Sequence, residues 1–167
     1  QRHSSSHFGA RAEYLAKQFH EQGIHCVGIQ ESRSQRQGHD LFGAFHVLSS
    51  AATARGTGGV QFWFTRQLHS AHGIVHFGHE HFRIIHGDDR RLIVRLQHPA
   101  LKLLFIILHA PCDDDLQSVT SWWQDTSRCI PSSLSSWTWI FLCDSNSRLG
   151  SVCSNSVGAH GGTTENE

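Results

Sequence analysis

The chain of 167 residues is 38% apolar, with ten Phe and five Trp, which excludes a disordered polymer and suits one domain with a buried core. Lys plus Arg and Asp plus Glu both number 14, so no bulk charge argues for a polyanion partner, and any phosphate binding must be local. Fifteen His are read mainly as scattered surface residues whose protonation at about pH 6 would strengthen any polyanion binding in mild acid.

The cysteines, Cys26, Cys112, Cys129, Cys143 and Cys153, form no CxxC pair, and three lie in or beside apolar runs. The expectation is reduced, buried thiols of an intracellular protein, with neither a disulfide framework nor a zinc site. No apolar run reaches the length of a membrane span and the first ten residues are no signal peptide, so no membrane association is expected. Met is absent even from the first position, which suggests an internal piece of something longer.

In chain order, Leu15, Phe19 and small residues at helical spacing predict an amphipathic helix over 9–22, stopped by Gly23. IHCVGIQE (24–31) reads as a mostly apolar strand ending in a carboxylate. AFHVLSS (44–50) and GGVQFWFTRQL (58–68) are strand-like, with ARGTGG as the hairpin connection. Further β runs are expected at 73–78, 82–87, 92–98 and 101–110, with Asp88-Asp89 and His98-Pro99-Ala100 as turns. Asp113-Asp114-Asp115 opens a helix over 115–130, since a first turn welcomes acidic residues. WTWIFLCD (137–144) reads as a buried strand, and a Ser/Gly-rich, loop-like tail follows it. Many strands between two helices predict an α/β sandwich, with sheets packed together and helices on the outer faces.

Three strands end in polar residues. Glu31 either marks the chain reaching solvent or offers a hard oxygen ligand of the kind Mg²⁺ takes. His109 closes the most apolar run and is either a satisfied core histidine or a group that contacts phosphate and moves a proton. Asp144 and Asn146, two apart, face one side of an extended segment; Asp can prepare a water and Asn can donate to a phosphate oxygen. An Asx-turn closing the strand is the equal alternative. RGTGG (55–59) lacks the Lys-Ser/Thr ending of a phosphate cradle and reads as a turn. HFGHEH (76–81) lacks a zinc-protease spacing and reads as a polar loop, and Trp122-Trp123 reads as helix burial.

Taken in order, these segments resemble the endonuclease/exonuclease/phosphatase superfamily, and within it the endonuclease domain of non-LTR (LINE-type) retrotransposons. The matching pieces are the helix with VGIQE (27–31), GGVQFWF (58–64), LIVRLQHPALKLLFIILHAPCD (92–113), the Trp-Trp helix, WIFLCDSNSRLG (139–150), VGAHGG (157–162) and Glu165-Asn166. The resemblance implies a DNase I-like four-layer α/β/β/α fold over residues 1–167, incomplete at both ends, with 150–167 as a loop-like tail. It implies Glu31 as the metal ligand for Mg²⁺ or Mn²⁺, Asp144 and Asn146 as the pair that aligns the water and stabilises the transition state, and His109 as a phosphate contact or proton donor. The activity implied is one-step hydrolysis of a phosphodiester in nucleic acid, DNA foremost, by an intracellular protein, nuclear if retrotransposon-like.

The family's opening Asn strand and its closing Asp and Ser-Asp-His strand have no counterpart here, and the unpaired edges this leaves predict poor solubility. Two other readings stand beside the endonuclease. One keeps the chemistry on another substrate, a phosphatase or an RNA or phospholipid hydrolase; the other is a non-catalytic remnant acting as an interaction module.

Overall fold

A computed structural model of the chain describes residues 5–112 and 115–146. VGAHGG (157–162), Glu165-Asn166, Asp113, Asp114, Cys153 and the tail 150–167 lie outside the described residues. The protein is of the α/β class. It runs as helix α1 (Ser5–Glu21), then strands β1 (Cys26–Ile29), β2 (Gly38–Phe42), β3 (Phe45–Ser50), β4 (Val60–Thr65), β5 (Gln67–Ser70) and β6 (Gly73–His76). After a short 3₁₀ turn come β7 (Phe82–Gly87), β8 (Arg91–His98), β9 (Leu101–His109), helix α2 (Leu116–Arg128) and β10 (Thr138–Asp144).

Two four-stranded sheets carry the fold. The first has the antiparallel order β1-β4-β3-β2. The second has the order β10-β9-β8-β7, antiparallel except that β10 runs parallel to β9. The period-2 alternation of each strand sends one set of side chains between the sheets and the other outward. Leu48, Phe62 and Phe64 of the first sheet meet Leu92, Val94, Phe105 and Ile107 of the second, with Phe62 and Phe105 ring centroids 4.3 Å apart. Each such side chain removed from water contributes about 1.5–3 kcal/mol.

The outer faces are covered by the helices. Ala12, Leu15, Ala16 and Phe19 of α1, at helical spacing, pack on Phe45, Val47 and Trp63. α1 ends as Gly23 predicts: Gly23 adopts φ +66°, Ile24 N donates to Phe19 O and Gly23 N to His20 O, the Schellman arrangement. On the other side, Trp122 and Trp123 of α2 cover Ile93, Leu104, Ile106 and Leu108. Asp115 caps α2 by accepting from Gln117 N and Ser118 N.

Several expectations need correction. The run 58–68 is two strands, because the chain bends at Arg66, where the Thr65 hydroxyl donates to Gln67 O and Arg66 N to Ala44 O. The β5–β6 hairpin that follows shares no ladder with either sheet, while its Leu68 and Val75 pack against the inter-sheet core. β2 is an additional strand, joined to β3 by the two-residue loop Gly43–Ala44 with Gly43 at φ +53°.

β10 is not buried. As an edge strand it sends only Ile140 and Leu142 into the inter-sheet core, while Trp139 and Phe141 are 39% and 54% exposed. Of the cysteines, Cys26, Cys112, Cys129 and Cys143 are free as expected, but Cys112 and Cys143 are exposed rather than buried. Among the described residues, no helix is long and apolar enough to cross a membrane.

Candidate functional site

In β9, Phe105 and Ile107 face the inter-sheet core, and the alternation carries His109 onto the same face at the strand's exit. In β10, Ile140 and Leu142 face that core, and Asp144 continues their row. The parallel register sets Asp144 directly beside His109, strands in a sheet lying about 4.8 Å apart. A histidine and a carboxylate thus leave the sandwich together at one end. His109 is 8% exposed, and its Nδ1 is buried without a hydrogen-bond partner among the described residues. Such an orphan costs about 1–3 kcal/mol unless a water or ion reaches it, and Arg91 Nε and Arg95 Nε share this state. Next to this pair, Cys143 is exposed as a residue, but partial desolvation of its sulfur and the Asp144 carboxylate push the thiol up, so it is held as an uncharged neighbour.

The extended geometry expected for Asp144 and Asn146 does not continue past the strand. Asn146 sits at φ +47° and its N–H donates to Asp144 Oδ1 at 3.2 Å, so the Asx-turn forms. That turn does not exclude a chemical role. Ala110 N donates to Asp144 O at 2.9 Å, and Asn146 Nδ2 donates to the Ala110 carbonyl. Because a carbonyl can only accept, this bond fixes which end of the carboxamide is the NH₂ group. Asp144 keeps an exposed carboxylate at the strand's end, and Asn146 is anchored across to the residue after His109.

Glu31 arrives from the other sheet. Gln30 Nε2 donates to Leu142 O at 3.0 Å, pinning the end of β1 to β10. Gly28 permits this approach: a Cβ there would lie 2.7 Å from Leu142 Cβ. Glu31 then adopts φ +50° and Arg33 φ +53°, left-handed conformations that cost a non-glycine residue roughly 1–3 kcal/mol. Its Oε1 lies 3.9 Å from His109 Nε2, its Oε2 lies 3.7 Å from Arg33, and the side chain is 54% exposed. It also borders a cavity of about 240 Å³ beside Arg11, Gln61 and Trp63.

Two groups hold these parts together, one in a segment that reads from sequence only as a turn, the other an arginine that the sequence reading does not single out. RGTGG does connect β3 to β4, but Gly58 and Gly59 also accept from Arg33 N and Ser32 N, both at 2.9 Å, and so brace the strained Glu31 segment. Gly59 N donates in turn to Asp89 O at 2.7 Å, and a Cβ on Gly58 would sit 2.6 Å from that oxygen. A Gly pair just before an apolar strand is a signal of close backbone approach that could have been used. The second group is Arg90, in the β7–β8 turn. It accepts from His109 N at 2.9 Å and directs Nη1 to the His109 and Ala110 carbonyls at 3.4 and 3.3 Å. Nothing in the residue types of an Asp-Asp-Arg turn tells which carbonyls the arginine will reach.

The remaining candidates resolve structurally. HFGHEH holds the last residue of β6, a linker and the 3₁₀ turn, with His81 Nδ1 accepting from Gly78 N. Trp122 and Trp123 pack edge to face at 4.9 Å, with Arg91 over Trp122. Among the described residues, no three His, Cys, Asp or Glu side chains converge as a metal cage. Two exposed carboxylates flank His109: Glu31, with Oε1 3.9 Å from Nε2, and Asp144, its partner in the β9–β10 register. No family model matches the chain, and no curated protein matches it.

Proposed function

We infer that the chain carries the strand-end site of a metal-dependent phosphodiester hydrolase, an endonuclease that nicks DNA, on a DNase I-like α/β/β/α sandwich. The observation that carries this reading is the convergence of Glu31, His109, Asp144 and Asn146 from three strand ends and both sheets, with Glu31 and Asn146 each in a left-handed conformation. Asn adopts that region readily in an Asx-turn, so the strain is Glu31's, and such strain is retained where surrounding structure over-determines it, as at functional sites. Helix-covered sheets and the order of matching segments support the same reading.

The donor set suits Mg²⁺, which takes one or two carboxylates and keeps water and substrate phosphate on its other positions. Glu31 would hold it, and when bound it supplies Lewis-acid polarisation of a phosphoryl oxygen. Asp144, exposed at the strand end, orients the attacking water and accepts its proton. Asn146 has one N–H committed to Ala110 O and turns the other toward a phosphate oxygen as charge develops there. His109, held in the mouth between the sheets beside Glu31, donates to a phosphate oxygen or to the leaving oxygen.

The test is nicking of supercoiled plasmid in Mg²⁺. Asp144→Ala should lower the rate by about 10²–10⁴-fold, the range for loss of a general base, while leaving the fold intact by circular dichroism. Retained activity in Asp144→Ala would remove Asp144 from the chemistry. Activity only on phosphoinositide or RNA substrates would keep the site and change the substrate.

A further inference from the structure

Resting on the hydrolase reading, we propose that Arg90 is a positioning residue that sets the catalytic geometry of His109 and Asn146 without touching substrate. Three contacts carry it. The His109 amide donates to Arg90 O, and the Arg90 guanidinium returns two bonds through Nη1, to the carbonyls of His109 and Ala110. The Ala110 carbonyl is also the acceptor that anchors Asn146 Nδ2. One oxygen therefore receives both the positioning arginine and the proposed transition-state donor. The exit of β9, which is no longer in a ladder on that side, is held from the turn below it.

The turn is itself immobilised. Asp88 Oδ1 accepts from Arg90 N at 2.9 Å and Arg91 N at 2.7 Å, and Asp88 Oδ2 takes His86 at 3.0 Å. On the other side, Asp89 O accepts from Gly59, whose own carbonyl and that of Gly58 brace Ser32 and Arg33 behind Glu31. The three-residue turn Asp88–Asp89–Arg90 thus touches the supports of all four site residues, and Arg90 is its side-chain link to the β9 end. At 3.4 and 3.3 Å the two guanidinium bonds are long, and they act by restraining two successive carbonyls from one nitrogen. Loss of that link frees the Ala110 peptide, and the Asn146 carboxamide moves with it. A displacement near 1 Å at a catalytic group costs on the order of a hundredfold in rate.

The experiment compares the unchanged chain with Arg90→Met and Arg90→Lys in Mg²⁺-dependent plasmid nicking, with kcat and KM measured separately, and follows the Asn146 side-chain NH₂ resonances by NMR. Arg90→Met should lower kcat by about tenfold to a hundredfold with little change in KM, the signature of misplacement rather than lost binding. It should also collapse the separation of the two Asn146 amide protons. Arg90→Lys, able to reach one carbonyl, should recover part of both, and it carries the test if Arg90→Met does not fold. Unchanged kcat and unchanged Asn146 resonances in Arg90→Met overturn the positioning role alone. Absence of any Mg²⁺-dependent nicking by the unchanged chain overturns the hydrolase reading on which that role rests.

Discussion

His46 illustrates how a single residue's environment overrides its type. Its Nε2 lies 2.8 Å from the Phe77 carbonyl, which can only accept, so Nε2 carries the proton and Nδ1 accepts from His39 Nε2 at 2.9 Å. His39 in turn stacks on His79 at 4.0 Å. Burial, with His79 and His46 alongside, pushes His39 down to about 4, and burial also lowers His46 against the opposing pull of its Phe77 bond. These histidines fold neutral, with affinities for protons below that of the unfolded chain. Their contribution to stability is therefore present above the unfolded value of about 6.5 and is lost as pH falls toward the folded one. Urea unfolding midpoints should drop between pH 7 and pH 4.5, and His39→Gln should flatten that drop; an equal pH slope in the variant would remove His39 from the effect. The reading of the histidines as mainly scattered surface residues does not extend to this pair, because residue type alone does not report which rings a hairpin and a distant carbonyl bring together.

At the scale of elements, legibility followed the strength of the local pattern. The β3, β8 and β9 runs were readable because a continuous apolar stretch bounded by turn residues has few alternatives. β2 was not, since Gly38–Phe42 pairs through its backbone while presenting exposed Asp40 and Leu41. β10 was readable as a strand but not as an edge, because its apolar residues gave no sign that one face would lack a covering helix. Helix ends were more explicit. Asp115 accepts from two backbone N–H groups at the start of α2, so Asp115→Ala should cost about 1 kcal/mol and Asp115→Asn only a fraction of that, measured as equilibrium unfolding free energies. Equal losses for both substitutions would assign the effect to charge rather than capping.

For the molecule as a whole, the separation of ends is the organising feature. β8 runs from Arg91, beside Leu108, to His98, beside Leu101, so the histidine-rich end and the Glu31–His109–Asp144 end lie roughly 20 Å apart along the strands. The residue types at the second end were legible in sequence, as three polar residues closing three apolar runs. Their mutual placement was not, because it depends on Gly28 letting β1 approach β10, on two left-handed residues, and on one arginine in a turn. The central claim is that these strand ends form one site for a divalent cation at Glu31. It is tested most directly by titrating ¹⁵N-labelled protein with paramagnetic Mn²⁺ and following amide broadening. The account predicts that Glu31, Ser32, His109, Ala110, Ser145 and Asn146 broaden first, and that Glu31→Gln abolishes the effect. Broadening centred on other carboxylates, or unchanged in Glu31→Gln, would contradict it.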